Sequence, residues 1–417
     1  MNDFNKEERL AWEKILEGFE DDMVLSQAVH VHEIDQVLME RTGDILWRPE
    51  PNIMPIYSGV DMTENFVAVV QLSVPTQIGY EYSVPWTMTH LELRDALQND
   101  RLGMAAKQRL SSQINYSVME VARDFGTIVS VKSGAASGYT DVADMEAMFN
   151  RVGIPHSDRH IAYNTGDYNS MAADLANRET MGEIGTKAYR ESFVGNIANF
   201  KLLKLDYGLS LAAGTATGLT IDTRTAAGNY HQPRATRTTN GLRGNVDNRF
   251  QVITPSAVTN LAAGNVITFA GITEVHHINK QSTGELKTFR VMDVGTSTIT
   301  ICPPIISAQG GTIGEVQYQN CEVAASATAA ITVINTVRRA FNPAWHKDAI
   351  ELVPGRHAHT ADAGVPTLRA STAQGIEISF RKFEDIDTLL TKYRMDIRYG
   401  VTAVQPEMMG GQLFRQT

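Results

Sequence analysis

The chain has 417 residues, 43% of them hydrophobic, with 37 Lys and Arg against 47 Asp and Glu, a formal net charge of −10. That composition is globular and soluble, long enough for two or three domains or one elaborated domain, and it excludes a disordered or collagen-like chain. It also speaks against a protein that coats naked DNA by mass charge, which requires clustered Lys and Arg.

The N-terminus lacks the basic start and apolar core of a signal peptide, so secretion by that route is not expected. Its first fifty residues hold thirteen acidic and five basic side chains, which is most of the net charge. From Phe4 to Val31, Leu10, Trp12, Ile15, Leu16, Phe19, Met23 and Val24 recur at three- and four-residue spacings and predict an amphipathic helix with an acidic opposite face. Glu13, Glu17 and Asp21 follow one another at four-residue steps along that face. Such a row repels itself in isolation, which makes a basic partner a reason for it; a merely solvated face is the competing account.

Residues 45 to 90 read as extended, with an alternating run from Val67 to Val74 ended by Pro75, and predict a long β-hairpin or loop. Thr89 followed by Glu92 is a capping-box signal. After it, Leu93, Leu97, Leu110, Ile114, Val118, Val121, Ala122 and Phe125 outline a helix of roughly thirty residues, well above the usual mean. Gly103 is a candidate bend in it. Residues 130 to 210 read as mixed α/β. Between Phe250 and Val337 only eight of 88 residues are charged: Glu274, Lys280, Glu285, Lys287, Arg290, Asp293, Glu315 and Glu322. This shift marks a β-rich module inserted into its host, with strands at Phe250–Ile253, Val266–Phe269, Phe289–Val294, Thr298–Cys302 and Ile331–Val337. Just before it, Thr223 to Val246 carries Arg224, Arg234, Arg237 and Arg243 and no acid, and reads as a mobile, basic, exposed loop suited to an acidic surface or a phosphate, or else simply solvated.

Enzymatic motifs are largely missing. Gly182 to Lys187 has the wrong spacing for a phosphate loop, and Gly134 to Gly138 misplaces its serine for a nucleophile elbow. His30 and His32 sit in a stretch that reads helical, where their spacing does not put both rings on one face. The best histidine group is His357, His359 and Asp362 with His346, the basis of a metal-hydrolase alternative, although an ordinary surface loop explains it better. Cys302 and Cys321 cannot make a disulfide framework; both are expected to be buried small hydrophobes in a reducing compartment. No segment qualifies as a membrane span, so no membrane partner is expected.

The order of these features resembles the coat proteins of short-tailed double-stranded DNA phages, the family typified by Salmonella phage P22. The resemblance runs over nearly the whole chain. It is carried by Asn245-Val246-Asp247-Asn248-Arg249-Phe250, Ile267-Thr268-Phe269-Ala270-Gly271, Leu93-Arg94-Asp95, Ala188-Tyr189-Arg190, Asp348-Ala349-Ile350, Tyr399-Gly400-Val401 and Pro406-Glu407, while Met409 to Phe414 is similar to related Shigella-phage coat sequences. The resemblance implies an α+β fold of the HK97 capsid type. Its expected parts are an N-terminal arm (1–45), an extended loop (46–90), a spine helix with peripheral domain (91–127), the first part of an axial domain (128–212), an inserted β-barrel-like domain (213–338) and a second axial and peripheral part (339–417).

The function so implied is that of a major capsid protein, without enzymatic activity or cofactor, forming pentamers and hexamers in an icosahedral shell. Its expected partners are a scaffolding protein, a portal protein and non-specifically held packaged DNA, with assembly in the host cytoplasm. The family's inter-capsomer loop falls at about Asn229 to Asn248 and carries acidic residues in relatives. Here Arg234, Arg237 and Arg243 stand there, so the charge of the partner would be inverted. Glu13, Glu17 and Asp21 are the candidate scaffold contacts. The alternative from another class is a phage tail or adhesin-like module binding carbohydrate, for which residues 266 to 300 offer only Phe269 and Phe289 as stacking aromatics.

Overall fold

The computed structural model describes residues 6–16, 19, 24–32, 45–63, 65–89, 92, 96–176, 190–191, 194–205, 209–222, 231–324, 326, 328–357, 365–385 and 387–416. They form a mixed α+β chain with few helices and many strands, divided into two compact units. The first comprises residues 1–46, 76–119 and 350–402; the second comprises 47–75, 120–349 and 403–417.

In the first unit, strand Leu390–Ala403 pairs antiparallel with Glu377–Asp385 on one side and Tyr80–Thr89 on the other. Its first half alternates, with Thr391, Tyr393 and Met395 buried and Lys392 and Arg394 exposed on the other face, whereas from Asp396 onward both faces are largely buried. Trp12, on helix Lys6–Leu16, stacks on Phe380 at 5.7 Å, and Trp86 and Tyr393 complete the aromatic layer at 5.6–5.7 Å. Beside it, buried Glu8 accepts hydrogen bonds from Lys382 Nζ and Tyr393 OH, both at 2.7 Å.

The long helix spans Ala96–Phe125. Ala106, Leu110, Ile114, Val118 and Ala122 are all buried, one helical step of four apart, which is the stripe that the sequence pattern predicts. Thr89 and Glu92 form the predicted reciprocal bonds, Thr89 N to Glu92 Oε2 at 2.8 Å and Glu92 N to Thr89 Oγ1 at 3.4 Å. Gly103 interrupts nothing. A Cβ there would stand 2.5 Å from Ile15 Cδ1, so the glycine is a seat for the N-terminal helix.

Three readings of the first ninety residues change. The predicted helix from Phe4 to Val31 is shorter: Lys6–Leu16 is followed by a 3-10 turn at Val24–Ala28, and His30–Val31 forms a parallel strand against Glu351 and Leu352. Leu10 is 55% exposed, off the apolar stripe that Trp12, Ile15 and Phe19 define. The alternating run at 67–74, read as part of a long β-hairpin or loop ended by Pro75, is a strand only in Ser73–Gln77, which passes through Pro75 and pairs with Ile45–Pro49, while residues 66–72 make no ladder.

The second unit holds two six-stranded sheets. The first runs in the order 128–131, 409–413, 342–346, 159–164, 200–205, 196–197, and packs helices Tyr139–Val152 and Thr165–Ala176 through Met145, Phe149, Tyr168 and Met171. The second runs in the order 219–220, 330–333, 266–275, 282–294, 299–302, 251–253, with Ile267, Phe269, Phe289, Val291, Ile299, Ile301 and Ile331 in its core. The five strands expected of the inserted module are all present: Val266–Val275 and Ser282–Val294 are longer than expected, Gln251–Ile253, Ile299–Cys302 and Ala330–Val333 are shorter, and Leu219–Thr220 is an added edge strand; Phe269 and Phe289 stand edge to face at 5.2 Å. Where the chain enters and leaves this sheet, Ser210–Leu211 pairs antiparallel with Arg339–Ala340, and Asn335 Nδ2 donates to Ala212 O at 2.7 Å.

Candidate assembly surfaces

Among the described residues no group of three or more His, Cys, Asp or Glu is placed to hold a metal. His346 Nδ1 lies 3.7 Å from Asp348 and His357 Nδ1 3.7 Å from Glu81, while His359 and Asp362 fall outside the described residues. Cys302 and Cys321 are free and buried, and burial pushes both thiols up.

The basic segment is a structured ribbon and not a mobile loop over its described part. Thr236–Thr239 pairs antiparallel with Leu242–Asn245 around Asn240 and Gly241, whose φ values of 52° and 79° are those of a type I′ hairpin. An Asn-Gly pair between two short runs was the available signal, and the arginine count obscured it. Register puts Arg237 opposite Gly244 and Arg243 opposite Thr238, so the two guanidinium groups leave opposite faces of the ribbon. Arg243 Nε donates to Thr236 Oγ1 at 3.1 Å, and Arg234 sits at the base, where Asn248 accepts from its N–H and donates to its carbonyl, both at 3.0 Å. Leu242 at the tip is 78% exposed. Arg224 falls outside the described residues.

A second exposed element is the stretch from Pro51 to Gln71. Ile56, Val60 and Phe66 are 97%, 103% and 87% exposed, and Met54 and Val69 are half so. Single exposed apolar side chains are unremarkable, but a run of them on an extended segment marks an interaction surface. Its stem is closed by Glu50 N–H to Leu72 O at 2.9 Å and by Gln71 Nε2 to Glu50 O at 2.7 Å.

At the N-terminus, Glu13 is exposed on its helix while Trp12 and Ile15 are buried; Glu17 and Asp21 fall outside the described residues.

One concentration of charge was missed. Glu407 accepts from Lys287 Nζ at 2.9 Å and from Asn320 Nδ2 at 2.6 Å, beside a cavity of about 50 Å³ that Glu50, Arg249, His277 and Tyr318 also line. Burial is the largest influence on Glu407 and raises it, yet Lys287, by charge and hydrogen bond, together with His277 and Asn320 holds the carboxyl below its usual range. At Glu50, burial first and then Glu407 outweigh the Arg249 guanidinium and push the carboxyl up to about 8. Burial likewise lowers His277, and takes Lys280 down to about 8. Close by in sequence, fully buried Arg290 donates to Gly126 O at 2.7 Å, Gly264 O at 2.9 Å and Arg123 O, with its guanidinium 4.6 Å from the Phe341 ring. It caps the C-terminal carbonyls of the long helix. A cation kept inside a charge-poor strand, as Lys287 and Arg290 are, was the readable sign of both.

The exposed loop and the basic ribbon are surfaces of the kind that contact other chains. Residues 1–415 match the P22 coat protein family (P22 coat protein, gene protein 5), and the chain belongs to that family. It is a major capsid protein with a fold of the HK97 type, a component of the phage shell. Similar solved structures include the capsid of cyanophage P-SCSP1u, at 12% identity over 93% of this chain and 86% of that one (TM-score 0.44), and a structure from Mycobacterium phage Che8, at 10% over 91% and 88% (TM-score 0.42). The CUS-3 coat protein I-domain is 31% identical over 29% of this chain and 99% of its own (TM-score 0.24).

Proposed function

We propose that this capsid protein builds an icosahedral procapsid of pentamers and hexamers around a scaffolding protein in the host cytoplasm, later holding a portal and packaged DNA, and that it has no enzymatic activity. The observation that carries the reading is the run of exposed apolar residues at Ile56, Val60 and Phe66, which a free subunit leaves in water and a neighbouring copy would cover. The parts expected from the sequence serve it as proposed domains: an arm (1–45), an extended loop (46–90), a spine helix (91–127), a split axial domain (128–212 and 339–417) and an inserted β domain (213–338).

Two finer assignments belong to the same proposal. Arg234, Arg237 and Arg243 pair with carboxylates of a neighbouring capsomer; because Arg237 and Arg243 leave opposite ribbon faces, the ribbon lies between two acidic surfaces and not flat on one. Glu13, Glu17 and Asp21 meet a basic region of the scaffold, supported by the exposure of Glu13 beside buried Trp12. Reversing Glu13, Glu17 and Asp21 to Lys should abolish scaffold-dependent assembly at physiological salt. Normal procapsids with unchanged scaffold binding would remove the arm from this role.

A further inference from the structure

Helix Ile313–Tyr318 is six residues long, opened by a capping box in which Thr312 and Glu315 satisfy each other's backbone N–H groups at 3.2 and 3.4 Å. Such a cap fixes a turn too short to be stable by propagation. Both exposed elements end on it. On the loop side, Val70 N–H donates to the buried Gln317 Oε1 at 3.1 Å, and Leu72 N–H donates to the Tyr318 hydroxyl at 3.1 Å. The Leu72 side chain is 1% exposed and packs with Ile306 and Tyr318.

On the ribbon side, Pro233 immediately precedes Arg234, and its carbonyl and Cγ lie 3.3 and 3.5 Å from where a Cβ on Gly314 would be. Val70 Cγ1 lies 3.6 Å from the same point. A single glycine is therefore met by both stems. His231 N–H, two residues before Pro233, donates to Ile305 O at 2.6 Å, next to the Ile306 that covers Leu72. Met54 Sδ also accepts from Gln317 Nε2 at 3.7 Å; beyond these stems the loop from Ile56 to Val69 and the ribbon from Thr236 to Asn245 are largely exposed, so their directions are set at the stems.

From this we infer that the short helix Ile313–Tyr318 is a shared anchor that aims the extended loop and the basic ribbon together, with Gly314, Gln317 and Tyr318 as positioning residues. The inserted domain thereby couples two contacts to neighbouring copies. Moving the helix moves both stems, and a partner that holds one arm biases the other, since coupling between sites is reciprocal. The inference rests on the reading of both arms as shell contacts, but the coupling is a property of one subunit.

Amide hydrogen exchange on the unassembled full-length chain tests it without a shell, so its failure is separable from a failure of the assembly reading. Gly314→Val should speed exchange about fivefold, the worth of one net hydrogen bond, both in peptides covering 68–73 and in those covering 231–238. Strands 266–275 and 282–294 should stay protected. A response in one stem only, or in neither, would overturn the shared anchor. If Gly314→Val loosens the inserted sheet as well, Tyr318→Phe and Pro233→Ala decide the matter. Each should quicken exchange at the other's stem as well as its own; effects confined to the mutated side refute the coupling.

Discussion

The inserted sheet and the loop at 51–71 are made of similar apolar residues and end in opposite environments. Ile267, Phe269, Phe289 and Ile299 are wholly buried, whereas Ile56, Val60 and Phe66 stand almost wholly in water. In the sheet each strand finds a partner within the chain, so backbone hydrogen bonds and side-chain burial are gained together. The exposed part of the loop finds no partner strand; residues 66–69 alternate like a strand and form no ladder. The hydrophobic content of a segment thus says that a surface wants covering. Which chain covers it depends on whether a partner lies within reach of the same fold.

The sharpest way to break this contrast is to truncate a phenylalanine in each region. Phe289→Ala should destabilise the subunit by about 3–5 kcal/mol in urea unfolding, while Phe66→Ala should leave it within about 0.5 kcal/mol and instead lower shell stability. Equal effects on the unassembled subunit would erase the distinction. Next in size is Glu407→Ala, which strands the buried Lys287 ammonium and should cost about 3 kcal/mol; Lys287→Met with Glu407→Leu should recover much of that loss.

A pH dependence follows from Glu50. Its carboxyl is raised from 4.5 to about 8, so the native chain binds more protons than the unfolded one between these values. Stability from this group is fully present below about pH 4.5 and is lost as pH rises through 8. The loss should amount to about 1–2 kcal/mol, less than the full shift implies because Glu50 keeps some contact with solvent. Glu50→Gln should flatten that slope, and an unchanged slope would show that Glu50 titrates normally. The smallest effect is expected from replacing Arg234, Arg237 and Arg243 together by Ala. Subunit unfolding should not change beyond about 0.5 kcal/mol, whereas shells should become less resistant to salt, because each exposed pair contributes only about 0.2–1 kcal/mol.

The sequence made legible whatever depends on local periodicity. The stripe Leu110, Ile114, Val118 and Ala122 gave the long helix, the Thr89–Glu92 signal gave a reciprocal cap before it, and the scarcity of charge gave the inserted sheet. Contacts between distant segments were not legible. Nothing near Gly103 announces that Ile15 rests on it, and nothing near Leu72 points to Tyr318, 246 residues away. The same holds for Glu407, which looks like an ordinary surface charge until the fold sets it against Lys287. Of the candidate contact residues, Arg234, Arg237 and Arg243 were found as a cluster, but their division between two faces needed the strand register.

The account turns on the loop and the ribbon being surfaces that neighbouring copies cover. Hydrogen exchange compared between the unassembled subunit and the closed shell reads this directly. The account predicts rapid exchange across 51–69 and 236–245 in the subunit and marked protection of both in the shell, with the inserted sheet protected in both states. Loop and ribbon amides that exchange as fast in the shell as in the subunit would contradict it.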